Sequence, residues 1–466
     1  MVHNSVEEHI SQLNSVINQR GIWNEAVVTC LKTLTALMRS FDTRSNLRID
    51  HWKPIELIVK EGRQSLTKSN LTENEVQLLI DLLRFLRNSC GGLNENLTFI
   101  LNHSEIMNFA KETLEYFLQK QQEQEITVLK IAIQLFGNII VGSVDSKPLI
   151  WNLFFYENKF RYLLKHSDTA IRECTMMVLF NSISDDNCEC IFKTKEGNEI
   201  VHLVTDTLLT NQIDWGLLFI EQLLSQKDFL DCCYEVFPLR NRLLILEIMD
   251  EKIKDKPDEY FISESLVESV KNYFLKNITQ ICSMKDSNLD PAEILYLLSI
   301  LCSASISPVY APILQNSKDL LQTTVETLKC IHLLGKEGSN AFSSVQDLKH
   351  HTDSQLKEEM SYHPFYGFKR NLIRLIGNVC YGYKDNQDIV RNLDGIPLIL
   401  DCCKFDAKNP YIIQWCILAI RNLLENNLEN QAIVANITTS GEIADDKLLK
   451  EMGFQIHCEN GKIRLK

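Results

Sequence analysis

One short pattern returns five times along this chain, and it leaves few folds open. The segments Leu82 to Asn88, Ala132 to Asn138, Thr175 to Asn181, Leu372 to Asn378 and Cys416 to Asn422 each carry residues of fixed character six, three and two positions before an asparagine. These are Leu82, Phe85 and Leu86; Ala132, Leu135 and Phe136; Leu372, Leu375 and Ile376; Cys416, Ala419 and Ile420; and Thr175, Val178 and Leu179, in which Thr175 alone departs from apolar character. On a helix of 3.6 residues per turn these offsets draw a single stripe with the asparagine at its flank. A stripe repeated in this way needs a neighbour of the same kind to cover it.

The asparagines lie about 50 residues apart from Asn88 to Asn138, about 43 to Asn181, and about 44 from Asn378 to Asn422. That brackets the roughly 40 to 47 residues of armadillo and HEAT units, so each unit is two or three helices. A second asparagine follows eight residues later in three copies, at Asn96, Asn386 and Asn430. Its short side chain bonds nearby backbone groups at caps and turns, so it marks the joint to the next helix. The 17 glycines and 10 prolines are about half of average usage, too few for the tight turns of a large all-β protein. The expected fold is therefore all-α, an armadillo/HEAT-like α-solenoid superhelix. From Asp214 to Ala311 the spacing stays helical, as in Leu217, Ile220 and Leu224, but fixes no repeat register.

Four segments follow: an N-terminal helical repeat region over 1–337, a polar loop or linker over 338–364, C-terminal repeats over 365–437 and a tail over 438–466. The formal charge of -13 and the absence of a basic patch with interleaved aromatics argue against nucleic acid. Met1 to Arg20 has no apolar core of a secretory signal. Ile412 to Ile420 reads as about the longest apolar run, well short of the roughly 20 residues that span a bilayer, which predicts an intracellular chain without membrane insertion. In that setting the 15 cysteines are expected to be reduced and to act as small core residues.

No catalytic, cofactor or metal site is expected. Gly91-Gly92 sits in a joint between helices, with no strand before it to make a phosphate loop. Cys188, Cys190 and His202 fit no common zinc spacing. In the pairs Cys232-Cys233 and Cys402-Cys403 the two side chains point about 100 degrees apart on a helix, so one of each pair should be more accessible. His350, His351 and His363 fall in the polar linker and are expected to be solvated.

The remaining surface is that of successive third helices. Arg84 and Arg374 stand four residues before their asparagines, one helical turn away on the same face, and Arg421 directly precedes Asn422. Two readings stay open. Asn88, Asn138, Asn378 and Asn422, helped by Arg84, Arg374 and Arg421, line a concave surface that holds a partner segment; or the asparagines satisfy backbone groups between repeats.

The stretch Phe368 to Ile437, with LIRLIGNVCY, DNQDIVR, DGIPLILDCC, DAKNPYI and AIRNLLENNLENQ in sequence, has the parts of an armadillo unit. Asp385 to Leu393, Leu398 to Cys403 and Tyr411 to Leu424 are its expected helices. This stretch resembles the C-terminal domain of the ataxin-10 family. The resemblance implies a cytoplasmic, non-catalytic scaffold that self-associates and serves neuron survival, neurite outgrowth and cytokinesis. It further implies perinuclear, midbody or centrosome and cilium-base locations, and contact with the G-protein β subunit and the O-GlcNAc transferase. An importin-α-like receptor for basic peptides is the alternative. Such receptors carry tryptophan four residues before the groove asparagine, where this chain has Arg84, Gln134, Met177, Arg374 and Leu418.

Overall fold

The computed structural model describes residues 2–92, 95–255, 259, 261–283, 290–337, 340–345, 364–439, 456–459 and 462–465. It divides into two compact units, Met1–Ile220 and Glu221–Lys466. His350, His351 and His363, with most of the polar segment 338–364, lie outside the described residues.

The first unit alternates outer helices α1 (Val2–Arg20), α3 (Lys53–Ser65), α5 (Ser104–Phe117), α7 (Lys159–Leu164) and α9 (Lys195–Leu208) with inner helices. The inner ones are α2 (Glu25–Leu37), α4 (Glu73–Ser89), α6 (Glu123–Gly142) and α8 (Thr169–Ser182). Each inner helix packs on the next, α2 on α4, α4 on α6 and α6 on α8, while α1, α3, α5 and α7 cover α2, α4, α6 and α8 in turn and α9 packs beside α7. Local chemistry sets the starts. The Asn24 side chain accepts from the amides of Ala26 and Val27 ahead of α2, and Thr72 and Glu75 form a reciprocal cap on α4.

Helix α6 corrects the reading of the longest apolar run. By length and composition it could cross a membrane, yet its side chains lie mostly buried between α4 and α8. A helix apolar on nearly every side is what the middle of a stack requires.

The second unit begins with α10 (Leu239–Asp255), α11 (Glu264–Ser283), α12 (Pro291–Ala304) and α13 (Lys318–Lys336). This is the region whose register the sequence left open. It continues with α14 (Phe368–Val379), α15 (Lys384–Asn392), α16 (Gly395–Asp401), α17 (Ile412–Leu424) and α18 (Leu428–Thr439), so the three helices expected after residue 384 are present within a few residues of their expected bounds. The inner row is α10, α12, α14 and α17, each packed on the next. Near the C-terminus β1 (Ile456–Glu459) pairs antiparallel with β2 (Lys462–Leu465), Ile456 opposite Leu465.

Candidate functional site

The stripe residues form the core of both units. Leu82, Phe85, Leu86, Ala132, Leu135, Phe136, Leu372, Leu375, Ile376, Cys416, Ala419 and Ile420 are all buried. So is Thr175, whose hydroxyl donates to the Ile171 carbonyl at 2.7 Å and thereby satisfies itself within its own helix.

The asparagines at the stripe's edge reach backwards across the stack. Asn138 Nδ2 donates to the Arg87 carbonyl at 2.9 Å, and Asn422 Nδ2 to the Gly377 carbonyl at 2.9 Å. In both cases the acceptor directly precedes the previous repeat's asparagine. Asn88 follows suit with the Thr35 carbonyl of α2 at 3.1 Å. Asn378 meets the Ser305 hydroxyl instead, at 2.9 Å. Asn181 turns to Met177 of its own helix, at 2.8 Å; there the Met177 methyl fills the space beside Gly137.

The glycines explain how helices come close enough. A Cβ on Gly377 would lie 2.9 Å from the Ala419 Cα, so the missing side chain lets α17 approach the carbonyl that Asn422 uses. The second asparagines tie each joint. Asn386 Nδ2 donates to the carbonyls of Val379 and Gln315, at 2.9 and 2.8 Å. Asn430 Nδ2 reaches Leu423 at 2.8 Å and Gln387 at 3.4 Å. Each thus binds the residue after its own first asparagine together with a carbonyl of the preceding layer.

The arginines differ from one another. Arg84 Nη1 lies 3.5 Å from Asp81 Oδ1. Burial pushes the Asp81 carboxyl above its ordinary value, against the opposing pull of Gln77, Lys32 and Arg84. Arg421 is exposed. Arg374 lies over the Trp415 indole, 4.9 Å from the ring centre, and its Nε has no hydrogen-bond partner among the described residues. Sequence reasoning missed Trp415, although Tyr411, Trp415, Leu418 and Asn422 follow a helical i, i+4, i+7, i+11 spacing. It also missed Arg87, whose Nη1 donates to Gln134 Oε1 at 2.5 Å while Nε and Nη2 hold Asn88 Oδ1.

Of the expected site residues, the structure places Arg84, Asn88 and Asn138 on α4 and α6 of the first unit. Arg374, Asn378, Arg421 and Asn422 lie on the adjacent helices α14 and α17 of the second. Tyr411, just before α17, is 71% exposed and has φ of 63°, the left-handed region that a bulky side chain rarely occupies.

A second polar cluster was invisible in the sequence because its members lie about 70 residues apart. The Cys402 Sγ is 3.3 Å from His332 Nδ1, and His332 Nε2 is 2.8 Å from Asp401 Oδ2. The wiring resembles that of a nucleophile, base and acid, but the thiol is buried and pushed up to about 12. It stays protonated and is a poor nucleophile. Burial, opposed by Asp401, lowers the His332 imidazole, so the ring is neutral with Nε2-H donating and Nδ1 accepting from the thiol. Cys402 is buried and Cys403 partly exposed, as are Cys233 and Cys232 respectively. No group of three or more His, Cys, Asp or Glu side chains converges on a metal-binding point among the described residues.

Within each unit, stacked helical layers, an apolar interior and asparagines bonded from layer to layer define a helical repeat protein of the armadillo/HEAT-like α-solenoid class. A family model described as the Spinocerebellar ataxia type 10 protein domain matches residues 368–466. The chain is 31% identical over 458 residues to Ataxin-10 of Bos taurus, covering 94% of this chain and 93% of that one. It is 46% identical over 101 residues to the Ataxin-10 homolog of Dictyostelium discoideum, covering 22% of this chain and 16% of the other. The chain belongs to the ataxin-10 family. A solved structure of an engineered protein aligns with a TM-score of 0.43 at 12% identity, over 96% of this chain and 97% of the other.

Proposed function

We propose that this chain is a non-catalytic adaptor whose inner helices hold segments of partner proteins, and that the second unit carries the main contact on α14 and α17. The observation behind this reading is the Arg374 guanidinium lying over Trp415, beside the exposed Leu418 and Arg421. Arginine and tryptophan anchors dominate protein interfaces. The strained Tyr411 supports the same place, since strain is retained where function needs it.

In this reading the labour is divided. Asn378 and Asn422 order the row through their amides, while Arg374 and Arg421 meet the partner. Arg84, Asn88 and Asn138 form the corresponding surface of the first unit. The family resemblance suggests the G-protein β subunit, the O-GlcNAc transferase and a second copy of the chain as partners. It also suggests work in cytokinesis and neurite outgrowth from the cytoplasm, the midbody or the centrosome.

The test is capture of purified G-protein β subunit by the full chain and by Arg374→Ala/Trp415→Ala. Loss of about 2 kcal/mol or more of binding energy is expected for such anchors. Unchanged capture by a double variant with wild-type circular dichroism removes this site, and micromolar binding of a basic localisation peptide would favour transport instead.

A further inference from the structure

A pocket of about 200 Å³ opens between the C-terminal part of α13, the start of α14 and the end of α16. Its polar wall holds Lys336, Lys369, Lys404, Asp401 and Asp406, and Phe342, Phe405 and Ile412 contribute to its apolar wall. Three ammonium groups against two carboxylates leave one positive charge in excess, with His332 neutral.

The two carboxylates are already occupied. Asp401 accepts from Lys336 and His332 on one oxygen and from Lys404, at 2.7 Å, on the other. Asp406 accepts from the amides of Val345 and Lys408, each at 3.1 Å, and from Asn409 Nδ2 at 2.9 Å. Neither is bonded to Lys369. That side chain is 8% exposed and makes no hydrogen bond or ion pair among the described residues.

An ammonium at the end of a largely buried side chain, with no carboxylate beside it to bond, is poorly compensated for the hydration it has lost. Its position adds to the cost, because Lys369 is the second residue of the twelve-residue helix α14, and a helix N-terminus carries partial positive charge that favours anions and disfavours cations. Burial, lack of a partner and helix position would all be relieved by one anion in the pocket. The lysines around it add to the attraction, since Lys336 and Lys404 have half-exposed stems that can turn from Asp401 to a ligand.

We propose that this pocket binds a phosphate group, with Lys369 as its principal ligand and Lys404 and Lys336 closing over it. A phosphate dianion is compact enough for the space and has oxygens for more than one ammonium. Inorganic phosphate and the phosphoryl group of a phosphorylated side chain share this chemistry.

The experiment uses the full chain and two probes, inorganic phosphate and the tripeptide Gly-phosphoSer-Gly, at matched ionic strength, with calorimetry and thermal unfolding as readouts. Wild type should bind phosphate and gain thermal stability from it. Lys369→Met should bind it about 10- to 100-fold more weakly, the value of one charge-assisted hydrogen bond, and should lose the thermal gain that phosphate gives wild type. Lys404→Met, changed at an exposed side chain, keeps the test valid if Lys369→Met fails to fold, and should weaken binding severalfold. Tighter binding of the tripeptide than of phosphate assigns the site to phosphorylated side chains, and the reverse to the free anion. Absence of phosphate binding to wild type, or equal binding by wild type and both variants, overturns the proposal.

Discussion

The side-chain amide of Asn422 donates to the main-chain carbonyl of Gly377 across 2.9 Å, with Asn422 itself buried. The bond joins one layer of the stack to the layer before it, at a spot where only a glycine lets two helices approach.

Removing that amide strands a carbonyl away from water. Asn422→Ala should cost about 1–3 kcal/mol, the penalty for an unsatisfied buried polar group, measured as a lower urea midpoint. Asn181→Ala serves as the control, because its amide bonds its own helix; it should cost about 0.5 kcal/mol or less. Equal losses at the two positions would contradict the inter-layer role.

A methyl at Gly377 meets backbone, whereas one at Gly137 meets the flexible end of Met177. Gly377→Ala should therefore lose about 1–3 kcal/mol through overpacking, while Gly137→Ala should lose less as the thioether moves aside. Thermal melts of the two variants make the comparison, and the opposite ranking would contradict the close approach.

Burial alone would raise the Asp401 carboxyl, yet hydrogen bonds from Lys336, Lys404 and His332 outweigh it and hold the group well below its ordinary 3.8. A carboxyl with a depressed folded pKa stabilises the fold above its unfolded value, and that stability drains away as the pH falls through the folded one. Asp401→Asn should accordingly unfold at lower urea than wild type at neutral pH, with the gap narrowing once the pH drops below 3.8. A gap independent of pH would mean the carboxylate's charge contributes nothing.

Tyr411→Gly removes the cost of a left-handed backbone at a bulky residue. Stability should rise by about 1 kcal/mol or stay level, while partner capture by α14 and α17 weakens. A variant that loses stability and keeps full capture would show that Tyr411 serves packing instead.

In thiol labelling of the native chain, Cys403 should react well before Cys402, whose thiol is buried and pushed up to about 12. Mass mapping of the modified cysteines after short exposure reads the order directly.

The stripe was legible because burial on one helical face depends only on spacing within about seven residues. Thus Leu372, Leu375 and Ile376 were assigned correctly to the core, and Asn386 and Asn430 to the joints. Partners of the asparagine amides were not legible, since Arg87 and Thr35 lie some fifty residues from the side chains that use their carbonyls and neither has a distinguishing residue type. Arg374 was singled out for its place beside Asn378, but its partner Trp415 belongs to another helix. The chain from His332 to Asp401 and Cys402 had no local signature, as only packing of α13 against α16 creates it.

The side-chain amides of Asn88, Asn138 and Asn422 point the same way along the chain, from a later layer's side chain to an earlier layer's carbonyl. The row therefore has a polarity. Cutting after a layer bares oxygen acceptors, and cutting before one bares amide donors that can fold back on their own helix, as Asn181 does. Truncations from the two ends are not chemical equivalents, and a cap engineered for one end would have the wrong hydrogen-bonding sense at the other.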